Sequence, residues 1–176
     1  MIRRFLAALA VLALVVAMAS CAENVLDVPN FVIHFEEDDE LVVEAVREAL
    51  EFNFDRITGI LGVVPPNAID VFIYPSVAEY HQAVGRPDMQ DWMVGTVIDG
   101  AIHMVSPANP GPAHDFDSMI KVAVHELVHV LALELNPHND RPFLVEGLAM
   151  YLAGQYEFVD VTIRYMLENL AMAKSR

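Results

Sequence analysis

The chain has 176 residues, with 25 acidic side chains against 10 basic ones and a formal net charge of −15. A surface of that sign repels phosphate backbones and anionic lipid headgroups, which argues against nucleic acid as a partner and requires any membrane tie to be covalent. One domain is the expectation for this length, and a single cysteine, Cys21, excludes an internal disulfide.

The chain opens MIRRFLAALAVLALVVAMASC, in which Arg3 and Arg4 precede an apolar run from Phe5 to Met18 that closes on Ala19 and Ser20. This is the pattern of a secretory signal, and the run is shorter than the ~20 apolar residues of a membrane span. The junction Met18-Ala19-Ser20-Cys21 resembles the lipobox of bacterial lipoproteins, where cleavage leaves a cysteine that becomes lipid-modified. The resemblance implies a signal peptide over residues 1–20, one mature domain over residues 21–176 and a lipid on Cys21. It also implies a place in the bacterial cell envelope, exported and anchored to a membrane.

Phe31 to Phe35 (FVIHF) predicts a strand, and the acidic run Glu36 to Glu40 a solvated turn that favours the N-terminus of the next helix. From Leu41 to about Leu61, the residues Val42, Val43, Val46, Leu50, Phe54 and Ile57 recur at the spacing of an amphipathic helix packed on a sheet. Pro65 and Pro66 are expected to end it. Ile69 to Tyr74 predicts a second strand, after which Ser76 caps a short helix through about Val84. Val94 to Val105 reads as two strands joined at Asp99-Gly100, a pair suited to a tight hairpin turn. Asp115 or Asp117 then opens a helix that stops at about Leu135, before Asn136-Pro137. A last helix follows, with Asp140 as its cap, Pro142 in its first turn and Gly154 near its end. These elements predict an α+β domain with a small mixed sheet and an edge hairpin packed on the central helix.

That central helix contains VAVHELVHVLALEL, Val122 to Leu135, apolar almost all round except for His125, Glu126 and His129. A polar group buried there without a partner costs roughly 2–7 kcal/mol, so something must compensate. The three form HExxH. Residues four apart share a helix face, so both imidazoles project to one point, where Zn²⁺ accepts nitrogens at ~2.0–2.1 Å. Glu126 lies about 100° round the axis, beside the metal, where it can take a proton from water. About 0.02 chance matches to this pattern are expected from the chain's composition, so the motif needs a helix and a third ligand as context. The helix is present in the pattern, and Glu146, one turn inside the last helix, can supply the third ligand. Gly147 is expected to let the two helices approach closely.

HELVH followed by the glutamate of FLVEGLAMYLAG resembles the gluzincin metallopeptidases, in particular the small peptidase MA-like bacterial proteins with a WLxEGLAxY pattern. Phe143 stands where the family often has tryptophan. The resemblance covers about Asp115 to Gln155. It implies a zincin-like fold, zinc held by His125, His129 and Glu146, and Glu126 as general base. It further implies a substrate cleft along the sheet-edge strand of the Val94–Val105 hairpin, where an extended peptide could pair by strand addition. Relatives often orient the first histidine with an aspartate four residues after the ligand glutamate. That position is Met150 here, so the partner must come from elsewhere. Candidates for stabilising an oxyanion are Tyr151, Tyr156, Tyr165, His103 and His138, while His34, His81 and His114 read as ordinary strand, surface and loop residues.

The function expected is that of a lipid-anchored zinc peptidase acting on a peptide, a protein or peptide-bearing cell-wall polymer. The alternative is a non-catalytic envelope lipoprotein that keeps zinc for structure or capture. An intact HExxH favours the first, since metal binding alone does not need Glu126.

Overall fold

A computed structural model of the chain describes residues 24–36, 40–138 and 142–155. Cys21, the expected cap Asp140 and the tyrosines Tyr156 and Tyr165 lie outside them. The described residues form an α+β fold of five strands and four helices: β1 (Asn24–Val28), β2 (Phe31–Phe35), α1 (Glu40–Leu61), β3 (Ile69–Tyr74), α2 (Val77–Ala83), β4 (Gly95–Ile98), β5 (Ala101–Val105), α3 (Phe116–Leu135) and α4 (Pro142–Leu152).

The sheet is mixed, in the order β1-β2-β3-β5-β4. Strands β2, β3 and β5 run parallel, and β1 and β4 are antiparallel at its two edges. Alternation along the parallel strands sends Phe31, Ile33, Ile69, Val71, Ile73, Ile102 and Met104 into one buried face. Against that core pack Val43, Val46, Leu50 and Ile57 of α1 and Met119, Ala123, Leu127 and Leu131 of α3, all buried. Each large apolar side chain so buried contributes about 1.5–3 kcal/mol. On the opposite face His34, Phe72 and His103 stack across three strands, and Tyr74 bonds His103 Nδ1 at 2.8 Å.

The expected helices and strands form, with differences at their margins. Helix α1 ends at Leu61, before the prolines expected to stop it. Gly62 takes φ +69°, and the amides of Gly62 and Val63 both donate to the Thr58 carbonyl, closing the last turn. Asp99 and Gly100 both adopt positive φ, 51° and 82°, as a two-residue hairpin turn of matching twist requires. Of the two candidate openers of α3 it is Asp115 that caps, accepting from the Ser118 amide while the Ser118 hydroxyl accepts from the Asp115 amide. Strand β1 has no counterpart in the expected elements. No helix among the described residues is long and apolar enough to cross a membrane.

Candidate metal centre

Helical spacing brings His125 and His129 together on α3, with their Nε2 atoms 3.0 Å apart. Glu146 of α4 faces both, placing Oε2 3.4 Å from His125 Nε2 and Oε1 3.3 Å from His129 Nε2. Ligands ~2.0–2.1 Å from a tetrahedral ion are about 3.3 Å from one another, so these separations fit a single cation. Two imidazole nitrogens and a carboxylate leave a fourth position free, and His125, His129 and Glu146 could hold a metal ion. The adjacent imidazoles, His125 ahead of His129, keep the Glu146 carboxyl well below the usual carboxylate range.

Glu126, the expected base, lines the same cleft as the cluster and is 7 % exposed. Burial pushes its carboxyl up to about 7, with His125 opposing and Glu146 adding to the rise. A carboxyl in that range can both accept and return a proton near neutrality. The site opens into a cleft of about 670 Å³ whose walls include Trp92, Thr96 and Val97 on one side, Val122 and Leu133 of α3, and Val145 of α4.

The partner that Met150 could not provide is Gln155. His125 Nδ1 donates to Gln155 Oε1 at 2.9 Å, a tautomer that turns the free Nε2 lone pair towards His129 and Glu146. The chain reaches this point because Gly154, at φ +70°, turns it back after α4. The Gln155 amide then donates to the Met150 carbonyl at 2.9 Å. Arg56 of α1 steadies the same corner by donating to the Leu152 carbonyl at 2.7 Å. Gln155→Leu should therefore weaken metal binding by the cluster about 10–100-fold, measured by competition with a chromophoric chelator. Unchanged affinity would mean that the imidazole is oriented by other means.

Several expectations are corrected. A Cβ on Gly147 would meet nothing within 4 Å among the described residues, so close helix approach is not what that glycine provides. Of the oxyanion candidates within the described residues, Tyr151 is 61 % exposed, His103 sits on the sheet face away from the core and His138 is exposed, and none lines the cleft. His81 is buried and not a surface residue, and its Nε2 donates to the Met93 carbonyl at 3.1 Å. His114 lines the cleft and donates to the Trp92 carbonyl at 2.9 Å, so two histidines fasten the segment that leads into β4.

Comparison of the chain with protein-family models, curated proteins and solved structures finds no match.

Proposed function

We propose that the chain is a zinc-dependent peptidase of gluzincin type with a zincin-like arrangement of sheet and helices, and that it acts on peptide or protein substrates at the cleft beneath β4. The observation that carries this reading is the convergence of His125, His129 and Glu146 at 3.0–3.4 Å with the buried Glu126 beside them on the same helix. Zinc held there would supply a Lewis acid that polarises a carbonyl and makes water more acidic. Glu126 takes the proton of the attacking water and delivers it to the leaving amine, the two transfers a carboxyl near neutrality can make. Glu146 and the two histidines are then committed as ligands, and Gln155 holds His125 in the tautomer that binding needs.

Strand β4 supports a peptide as the substrate. It lies at an edge of the sheet, pairing only with β5 among the described strands, so its outer backbone groups can receive an extended chain by strand addition. The apolar walls of the cleft suit uncharged side chains. The test is cleavage of a broad peptide and cell-wall peptide library by the zinc-loaded chain, and its loss in the Glu126→Gln variant.

The same reading places the protein in the bacterial envelope, held by a lipid on Cys21. Each acyl CH₂ buried in a bilayer contributes ~0.8 kcal/mol, so two chains anchor firmly. Cys21→Ser should therefore shift the protein from the membrane to the soluble fraction on cell fractionation. Membrane association at the wild-type level would rule the lipid anchor out.

A further inference from the structure

Gly95 begins β4 and pairs with Met104 of β5. Glycine weakens a strand, since it has the most conformational freedom to lose and no side chain to pack. The usual compensation is a left-handed backbone, yet Gly95 is not among the glycines with positive φ. Close approach is the remaining compensation, and the neighbours show what approaches. A Cβ built on Gly95 would lie 2.7 Å from Glu126 Oε1, 3.1 Å from Glu126 Cγ and 2.7 Å from Val122 Cγ1. Favourable carbon contacts begin at about 3.5 Å, so a methyl group there needs something to move. Val122 is buried and, being β-branched, stiff about χ1. The contact with Glu126 is relieved by moving the end of a flexible side chain, whereas the one with Val122 needs a small shift of that side chain or of the strand.

We infer that Gly95 is a positioning residue for Glu126. Its bare Cα forms one wall of the slot that holds the carboxylate beside the His125, His129 and Glu146 cluster. A side chain at position 95 displaces the carboxylate, while the nearest atoms it meets belong to Glu126 and Val122 and not to the three ligands. The edge strand thus sets the place of the base as well as offering its backbone to a substrate. The consequence for rate rests on the peptidase reading; the contact itself does not.

The experiment compares Gly95→Ala with wild type in the zinc-loaded full chain, using two readouts. In a fluorogenic peptide-library assay, kcat should fall about a hundredfold, the effect of displacing a reacting group by about an ångström, with zinc content and KM little changed. On the Glu126→Gln background the same substitution should cost nothing further, because residues that act as a unit are not additive. In ¹³C NMR, the Glu126 carboxyl resonance, assigned by its disappearance in Glu126→Gln, should move in Gly95→Ala. A wild-type rate in Gly95→Ala, a further loss on the Glu126→Gln background, or an unmoved resonance overturns the inference. If the wild type cleaves nothing, that failure belongs to the peptidase reading, and the resonance alone decides the role of Gly95. Should Gly95→Ala not fold, Gly95→Ala combined with Val122→Ala removes the valine contact, keeps the one with Glu126 and carries both readouts.

Discussion

Glu126→Gln should abolish most hydrolysis while leaving the metal and the fold in place. Glutamine keeps nearly the same volume and hydrogen-bonding shape but cannot accept a proton. The proposed ligands His125, His129 and Glu146 are other residues, so zinc content should match the wild type. Glu126 is buried, and burial pushes its carboxyl up to about 7, which shows that the fold disfavours the charged form. A neutral amide in its place brings no new desolvation cost, so the melting temperature should stay close to that of the wild type. Removal of a general base usually costs ~10²–10⁴-fold in rate, and at least that loss is expected in kcat here. The assay is steady-state cleavage by the two proteins at equal, measured zinc occupancy. Equal rates would remove Glu126 from the chemistry.

The parts of this molecule that were legible in its sequence are those where local geometry decides. Asp99-Gly100 announced the hairpin because both residues tolerate positive φ, and both adopt it. The period of Val43, Val46, Leu50 and Ile57 exposed the buried face of α1, and Ser76 caps α2 as its position suggested. His125 and His129 could be placed together because four residues nearly complete a helical turn. Glu146 was reachable for a related reason, the turn after α3 being short.

What was not legible depends on where distant segments meet. Gln155 is an unremarked residue after a glycine until the chain turns back on α3 and sets its amide against His125. Gly95 and Gly147 look alike in sequence, yet only the first has a neighbour close enough to need a missing side chain. Buried His81 finds its partner in a carbonyl twelve residues away, which no spacing rule predicts. Strand β1 was missed because NVLDV lies at a sheet edge, where alternate residues face solvent and the apolar signal is thin. The end of α1 was attributed to Pro65 and Pro66 although Gly62 already supplies the capping conformation.

The second large effect concerns the metal. Replacing His129 with alanine removes one of three converging donors and leaves His125 and Glu146, too few to hold zinc in a closed set. Binding energy at such a site is also folding energy, because the unfolded chain has no preformed cluster. A ligand at a thousand times its Kd stabilises by about 4.1 kcal/mol, so loss of the metal should lower the melting temperature by on the order of 10 °C for a chain of this size. Chelation of the wild type should reproduce both losses. The most direct measurement is therefore zinc content and peptide cleavage determined on the same samples of wild type and His129→Ala. One zinc per chain with cleavage in the wild type, and neither in the variant, is the predicted result. Stoichiometric zinc in His129→Ala, or a fully zinc-loaded wild type that cleaves no peptide, would contradict it.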